Sequence, residues 1–394
     1  MTERSYDVVI VGAGSAGFAC AVAAARQNVK VALIEKEMTP GGILTVGGNN
    51  AIDQFNNPFK KDKKIIIKGI AYELVERLQK DGFAFVPDMY AQRVKHDQYS
   101  VKVNPTATAV VMDEMLLSSG VALYYGQPVV SVETDGRNVS AAIISTKSGL
   151  KKICGKIFVD CSGDGDFAFW AGAKCSCGGE DKTFQPGTLR VYPAVQPRDD
   201  DKVLNYGDNE NHVVLNLDSD DLTTSNVFAR REVYNQMLKG RKIMTTAPAV
   251  APREGRRIKG ITELNANDYL SGKIFHDSVC YSFWFVDIHR KDQPAVIKYV
   301  ESENTPTIPL SAMTAIDFDN LMMAGRNIST DRATNSAIRV KASCMAMGEA
   351  VGVACAVFVK SCAEKTSEID VNKVKSILNS TGAIVPDYCG GVDF

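Results

Sequence analysis

The stretch YDVVIVGAGSAGFACAVAAARQNVKVALIE, from Tyr6 to Glu35, decides the fold. It opens with a short apolar run rich in β-branched residues, Tyr6–Val11, which predicts a buried strand. The Ala-rich segment Phe18–Gln27 predicts a helix. A second apolar run, Val29–Ile34, predicts another buried strand, which Glu35 closes. The first 35 residues therefore contain a complete β-turn-α-β unit.

The turn between the first strand and the helix is the glycine motif Gly12-Ala-Gly14-Ser15-Ala16-Gly17. In such a motif Gly12 makes the tight turn and Gly14 lets a pyrophosphate approach the backbone. Gly17 allows close packing of helix on strand. The N–H groups at the helix N-terminus, including those of Ser15 and Ala16, offer hydrogen bonds and partial positive charge to phosphates. The motif predicts a dinucleotide site; the alternative is an ordinary glycine turn in an α/β sheet.

Glu35 lies 18 residues after Gly17, at the end of the second strand. A carboxylate there can accept hydrogen bonds from both hydroxyl groups of a ribose. It would also repel a 2′-phosphate, so the sequence argues against NADP. Lys36 follows directly and is a further candidate contact. The motif alone leaves both FAD and NAD open.

The chain has 394 residues, of which 45 are basic and 46 acidic, and 45% are apolar. This composition excludes the disordered, collagenous and fibrous classes, and the length predicts one large composite domain or two. A net charge of −1 argues against nucleic-acid binding by bulk charge. Because no unbroken apolar stretch is long enough for a membrane span and no signal-peptide pattern is present, we expect a cytoplasmic protein without a membrane partner.

The ten cysteines are scattered and form no C-x-x-C pair. Zinc and iron–sulfur sites need four ligands at recognisable spacings, so the sequence predicts no metal site. Most cysteines should be small buried hydrophobes. Cys175 and Cys177 favour the edge of a strand and turn, and a redox dithiol working with a cofactor is the alternative.

Further elements follow from local patterns along the chain. We predict helices over Lys68–Lys80, Thr108–Ser118 and Ser343–Lys360, strands over Val121–Tyr125, Ile157–Asp160 and Asn320–Gly325, and a hairpin of Val129–Glu133 with Val139–Ser145.

The predicted fold is α/β, with a discontinuous Rossmann-like domain on a doubly wound parallel sheet and an inserted α+β substrate domain. Composition changes near residue 185, where charge and proline increase and Ala and Gly decrease. We therefore assign residues 1–184 to the first part of the nucleotide-binding domain, with a helical insertion at about 60–105. Residues 185–305 form the substrate domain, 306–362 the second part, and 363–394 a C-terminal extension.

Five blocks along the chain carry a resemblance to a known family. They are the glycine motif with Glu35, GGILTVGG (Gly41–Gly48), VDCSGDGD (Val159–Asp166), the segment around RRIKG within Arg253–Tyr269, and NLMMAGRNIS (Asn320–Ser329) followed by Arg339 and SCMAMGEA (Ser343–Ala350). Together they resemble the FAD-dependent oxidoreductases of the two-dinucleotide-binding-domain flavoprotein type, which are related to fumarate reductase flavoproteins. The chain departs from the pattern at Glu349 and Val351, where Gln and Ala are expected.

The resemblance implies that the cofactor is FAD and that further residues contact it. A strand ending in Gly325 and Arg326 would bring N–H groups and a guanidinium to the cofactor. The helix starting near Ser343 would direct its positive end at the flavin N1–C2=O edge. The sequence holds a single G-x-G-x-x-G, which leaves no second Rossmann site for NAD(P)H. The further contacts implied are Gly41, Gly42, Thr45, Val129, Gly163, Asp164, Gly325, Arg326, Ser343, Met345 and Ala346.

Candidate catalytic residues lie in the predicted substrate domain. Asp287 and His289 alternate as on one face of a strand, and His289 or His276 could carry a proton; a structural histidine is the alternative. Arg253, Arg256 and Arg257 fall within five residues. One of these arginines could bind an anionic group of the substrate through two parallel hydrogen bonds, and Arg256 and Arg257 are the catalytic candidates. The alternative is that they pair with surface acids such as Glu254 or Glu263.

These observations predict a flavoenzyme that moves hydride or electrons between FAD and a small, anionic organic substrate bound between the two domains. Its partners would be that substrate and an external electron donor or acceptor, and a homo-oligomer is compatible with the sequence. Two alternatives stay open: an NAD-linked dehydrogenase and a non-catalytic flavin-binding or redox-sensing module.

Overall fold

The computed structural model describes residues 2–58, 64–90, 99–179, 183–193, 209–212, 217–290, 293–300 and 304–387. Its strands are β1 (Thr2–Val11), β2 (Val31–Glu35), β3 (Ala51–Ile52), β4 (Ala84–Phe85), β5 (Val101–Val103), β6 (Ala122–Tyr125), β7 (Val129–Asp135), β8 (Asn138–Thr146), β9 (Gly149–Asp160), β10 (Cys175–Ser176), β11 (Gly187–Pro193), β12 (Asn209–His212), β13 (Ile243–Thr246), β14 (Arg257–Ile258), β15 (Ser278–Tyr281), β16 (Val286–Arg290), β17 (Gln293–Lys298), β18 (Thr307–Pro309) and β19 (Leu321–Met323). Its helices are α1 (Ser15–Arg26), α2 (Ile70–Lys80), α3 (Pro105–Ser118), α4 (Asp166–Ala171), α5 (Ser219–Leu238), α6 (Ala266–Leu270), α7 (Arg332–Ile338), α8 (Lys341–Ser361) and α9 (Val371–Ser380).

A seven-stranded sheet forms the centre of the fold, in the order β6-β2-β1-β9-β8-β7, with β19 paired to the end of β9. The strands β6, β2, β1, β9 and β19 run parallel, and β8 and β7 add an antiparallel hairpin. This parallel-rich sheet confirms the predicted α/β class and the Rossmann-like core. The register Val11↔Asp160 brings the ends of β1 and β9 to the same edge, where the site begins.

Strand β9 is longer than the predicted strand Ile157–Asp160. It begins at Gly149, and of its first six residues Ile153 alone is buried. This first half pairs with β8 on one side and β1 on the other. Because Lys151 and Lys152 interrupt its apolar residues, no apolar run marks this half in the sequence.

Helices α1 and α8 pack closely, because small residues line their contact. A Cβ at Gly348 would overlap the carbonyl oxygen of Ala16, and one at Gly352 would overlap that of Cys20. By length and composition α8 could cross a membrane, but 89% of its most apolar window is buried inside the fold. Such burial is typical of a core helix.

In the described residues of the segment predicted as a helical insertion, about 60–105, the α-helix is α2, and α3 begins at its end. The segment also contains β4 and β5, which pair with β3 in a small antiparallel sheet. These strands are two or three residues long, too short to produce a visible alternation in the sequence. Residues 59–63 and 91–98 lie outside the described part.

The buried apolar residues of the segment 185–305 contribute to two hydrophobic clusters. The smaller cluster packs apart from the main core and consists of Leu189, Val191, Ala229, Val233, Ile243, Ala247 and Val250. Buried residues farther along, such as Ile258, Leu264 and Tyr269, belong to the main core. Among the described residues of the predicted substrate domain, a separate hydrophobic cluster therefore lies in the first half.

Candidate functional site

The glycine motif occupies the edge of the sheet where β1, β2 and β9 end. Gly12 has φ 98°, and a Cβ there would overlap the Cys161 carbonyl oxygen; a Cβ at Gly17 would overlap that of Gly12. Above Gly14 nothing lies within 4 Å of the Cβ position. Helix α1 starts there without a side-chain cap. Its first N–H groups are thus available to an anion in that open space.

Glu35 is held beside this loop by two backbone donors. Its Oε2 accepts from Ala13 N at 2.6 Å and its Oε1 from Glu37 N at 3.0 Å. Burial raises the pKa of Glu35, and the two hydrogen bonds partly offset that rise. Each oxygen keeps a further lone pair for an incoming hydroxyl. The carboxylate is therefore fixed where a ribose contact needs it.

The double-glycine loop lies directly against the glycine motif, although the two are separated along the chain. Gly41 N donates to Ala13 O at 2.7 Å. The Thr45 hydroxyl donates to Pro40 O at 2.5 Å and so fixes the loop itself. Lys36 is exposed. Val129 is buried and lies two residues after Gln127, whose N–H donates to Glu35 O at 3.1 Å.

The segment after β19 joins the same edge. Gly325 lies against Ala16, with 3.3 Å between the two Cβ positions. Arg326 and Asp164, both predicted to contact the cofactor, bond each other at 2.7 Å, and the guanidinium covers Gly163. Their first role in the fold is thus to join the ends of β9 and β19.

Asp160, buried at the end of β9, organises this edge. It accepts hydrogen bonds from Ser162 N and Ala168 N at 2.8 Å, and from the Asn327 amide at 3.0 Å. Burial raises its pKa to about 6, although the hydrogen bonds oppose that rise. Sequence reasoning did not single out Asp160 or Asn327, because neither belongs to the glycine pattern.

Helix α8 begins at Lys341, two residues before the predicted start, and has no side-chain cap. Ala342 N donates to Asp53 O at 2.9 Å. The Ser343 hydroxyl is 2.9 Å from that of Ser282, and Met345 is fully buried. Ala346 packs partly buried against the core. The backbone end of α8, rather than the side chains of Ser343 and Met345, is therefore what this helix offers a ligand.

The predicted catalytic arginines have structural partners. Arg256 pairs with Asp166 at 2.7 Å and lies 4.2 Å above the Phe169 ring. Arg257 is 5% exposed and donates to Gly178 O at 3.1 Å. Burial lowers its pKa. Within the described residues, neither side chain contacts a histidine, and Arg257 Nε and Nη1 are buried without a hydrogen-bond partner. A role for either arginine as a bidentate substrate clamp stays a prediction.

The two candidate histidines differ sharply in their surroundings. His276 has a side chain that is 83% exposed. His289 Nε2 lies 3.0 Å from Asp287 Oδ2, as expected from their alternation on one strand, β16. The structure thus brings together Asp287 and His289 and leaves His276 at the surface.

Arg339 and Arg253 complete the group around Asp287. Arg339 Nη2 is 3.2 Å from the Asp287 carbonyl oxygen and 3.4 Å from its Oδ2. Burial raises the pKa of Asp287, but the hydrogen bond with His289 and the charges of Arg339 and Arg253 outweigh it and lower that pKa. Burial, together with the charge of Arg339, lowers the pKa of Arg253 to about 10.

A second network of hydrogen bonds connects the backbone of His289 to Glu254. Gln185 Oε1 accepts from His289 N at 3.1 Å, and Gln185 N donates to Glu254 Oε1 at 2.6 Å. Arg332 binds both oxygens of Glu254, at 3.0 and 2.8 Å. Sequence reasoning missed these roles because the partners come from distant segments; the only local signal was the density of charge around Arg253.

Comparison with known proteins decides the family. The family model described as FAD dependent oxidoreductase matches residues 7–237 and 226–378 of the chain. The chain belongs to this family. FAD is accordingly its cofactor, and the protein is an oxidoreductase.

Curated relatives match this family member over short stretches. Thiamine thiazole synthase 4 of Physcomitrium patens is 51% identical over 49 residues, which is 12% of this chain and 14% of that protein. Thiamine thiazole synthase of Uromyces fabae is 34% identical over 82 residues, 17% of this chain and 24% of that protein. The chain thus spans well under a third of the length of these relatives.

Solved structures are similar over nearly the whole chain. A geranylgeranyl bacteriochlorophyll reductase-like protein from Thermoplasma acidophilum covers 96% of this chain and 84% of its own, with 13% identity and a TM-score of 0.49. L-proline dehydrogenase from P. horikoshii covers 97% of this chain and 99% of its own, with 14% identity and a TM-score of 0.46.

The residues of this FAD dependent oxidoreductase fit the cofactor. Besides the open space above Gly14 and the fixed Glu35, a series of buried polar atoms lies in the segment after β19. Among the described residues, six side-chain atoms there have no hydrogen-bond partner: Arg326 Nε, Asn327 Oδ1, Ser329 Oγ, Thr330 Oγ1, Thr334 Oγ1 and Asn335 Oδ1. Buried polar atoms usually have partners. A ligand rich in hydrogen-bonding groups, as FAD is, would supply them.

Proposed function

We propose that the protein transfers hydride or electrons between FAD and a small anionic organic substrate that binds beside Asp287, His289, Arg253 and Arg339. One observation carries this proposal: Asp287 Oδ2 lies 3.0 Å from His289 Nε2 and 3.4 Å from Arg339 Nη2, and the charge of Arg253 also helps to lower the pKa of Asp287. Two cations that share one anion leave an excess of positive charge in a half-buried position. A negatively charged group of a substrate would balance it.

The position of this group supports a role next to the cofactor. Arg339 ends α7 and stands two residues before α8, whose uncapped N-terminus is predicted to face the flavin. Asp287 N donates to Ser336 Oγ of α7 at 2.9 Å, which ties β16 to this junction. Arg253 donates to Pro186 O, just before β11 of the smaller hydrophobic cluster. The group therefore lies where the main core and that cluster meet.

Each residue has a defined task in the proposed reaction. FAD, when bound, supplies the hydride or electron chemistry. Arg339 and Arg253 hold the anionic group and fix the orientation of the substrate. The hydrogen bond between Asp287 and His289 Nε2 favours a proton on Nε2, which leaves Nδ1 as the nitrogen that exchanges a proton with the substrate.

Small carboxylates test this proposal without knowledge of the natural substrate. In titrations of the FAD-bound protein with acetate and longer mono- and dicarboxylates, we expect at least one to perturb the flavin absorption in a saturable way. Arg339→Lys should weaken that binding by about tenfold or more, because lysine replaces a fork poorly. Arg256→Lys is the matched control and should leave it unchanged. If no carboxylate perturbs the flavin, or if both variants bind like the wild type, the substrate site lies elsewhere.

A further inference from the structure

A cavity of about 420 Å³ lies between α1, α2 and α8, lined also by the turn at Thr381 and Gly382. Its apolar wall includes Ala23, Ile70 and Val353. Its volume is within the range of small-molecule sites. Neither the glycine motif nor the Asp287 group contributes to its lining, so nothing in the proposed reaction uses it.

Glu349 of α8 is the buried charged group of this cavity, with only 3% of its surface exposed. Its Oε2 accepts from Ile70 N at 3.0 Å, the first N–H of α2. Its Oε1 has no hydrogen-bond partner within the described ranges. The Glu349 side chain itself lines the cavity.

The two arginines nearest the cavity are already engaged. Arg26 binds both oxygens of Glu73, at 2.7 and 2.9 Å, and Arg77 approaches the same carboxylate at 2.8 Å. Lys68 and Glu76 are exposed at the rim. In the part of the chain that the structure covers, no ion pair to Glu349 forms. A buried carboxylate without a cationic partner is costly, and a cation from outside would remove that cost.

We propose that this cavity binds a small organic cation, with an ammonium or guanidinium group on Glu349 Oε1 and a short apolar tail against Ala23, Ile70 and Val353. An inorganic divalent ion fits less well, because Ca²⁺ and Mg²⁺ take six or more oxygen ligands and the described residues contain no group of three or more His, Cys, Asp or Glu able to hold a metal ion. The apolar wall matches a hydrocarbon tail instead.

The rise in pKa supports this assignment. Burial raises the pKa of Glu349 to about 7, while the hydrogen bond from Ile70 and the charge of Arg26 oppose the rise. Cation binding should therefore strengthen as the pH increases through 7. The other charged or titratable groups that face Glu349 from neighbouring elements are Arg26, Lys68, Tyr72, Glu73, Glu76 and Cys280.

The experiment uses the FAD-bound protein and calorimetric titration with benzylammonium, and with benzyl alcohol as the uncharged analogue. At pH 8 we expect benzylammonium to bind saturably and benzyl alcohol to bind about tenfold more weakly or worse. Glu349→Gln should lose a similar factor, and Glu76→Gln, at the rim, should lose little. The flavin spectrum should stay unchanged, which separates this site from the one beside Asp287.

Three results would overturn the proposal: no saturable benzylammonium binding, equal binding of the two probes, or equal binding to wild type and Glu349→Gln. If Glu349→Gln does not fold, the wild type alone decides. Its affinity for benzylammonium should increase by several fold between pH 6 and pH 8, and a flat profile would count against the site.

Discussion

Replacement of Glu35 by Gln removes a charge from the centre of the predicted adenosine site and leaves the size of the side chain nearly unchanged. In the wild type both oxygens of Glu35 accept backbone hydrogen bonds, from Ala13 at 2.6 Å and Glu37 at 3.0 Å. A Gln side chain has one acceptor oxygen, so one backbone donor loses its partner. The ribose hydroxyls lose a charged acceptor as well.

The magnitude follows from the loss of one hydrogen bond to a charged group, about 1.5–3 kcal/mol. The dissociation constant of FAD should therefore rise by roughly tenfold to a hundredfold. Because Glu35 is only 7% exposed, solvent does little to replace the lost interaction.

The assay is reconstitution of the apoprotein with FAD, followed by quenching of flavin fluorescence. Urea unfolding of the apoprotein, measured in parallel, separates weaker FAD binding from a general loss of stability. Glu114→Gln makes the same chemical change at an exposed position of α3 and should bind FAD like the wild type. If Glu35→Gln retains FAD with an unchanged dissociation constant, Glu35 does not contact the ribose.

Three further predictions concern the rest of the structure. Arg256→Lys should lower the free energy of unfolding by about 1 kcal/mol, as measured by urea unfolding, because it weakens the Asp166 pair and the Phe169 contact; no loss would mean that these contacts do not form. Between pH 4.5 and about 7 the folded state keeps a proton on Glu349 that the unfolded chain has released, so wild-type stability should fall with rising pH relative to Glu349→Gln; parallel pH profiles would contradict this. Elemental analysis should find no stoichiometric metal, since the described residues contain no group of three or more His, Cys, Asp or Glu able to hold one; one bound Zn or Fe per chain would refute it.

The β-turn-α-β unit could be predicted from the sequence because its signals are local. Strand, glycine turn and helix each follow from adjacent residues, and β1, α1 and β2 lie within a few residues of the predicted bounds. The hairpin of β7 and β8 follows for the same reason, from alternation around the turn at Gly136.

The substrate side could not be predicted in the same way, because distant partners decide which charges are used. Arg256 pairs with Asp166, 90 residues earlier, and Glu254 pairs with Arg332, 78 residues later. No pattern near Arg253 indicates that the charges of Asp287 and Arg339 act on it. In the sequence, Glu349 differs from the family pattern only in replacing the expected Gln. The cavity that it lines cannot be predicted from nearby residues, because it depends on the packing of three helices.

Identification of the cofactor in the purified protein tests the central claim most directly. Heat release followed by chromatography with detection at the flavin absorbance separates FAD from FMN and measures the amount per chain. The glycine motif, Glu35 and the family together predict a yellow protein with one FAD per chain. A protein that releases FMN, or that stays colourless even after incubation with FAD, would contradict the account.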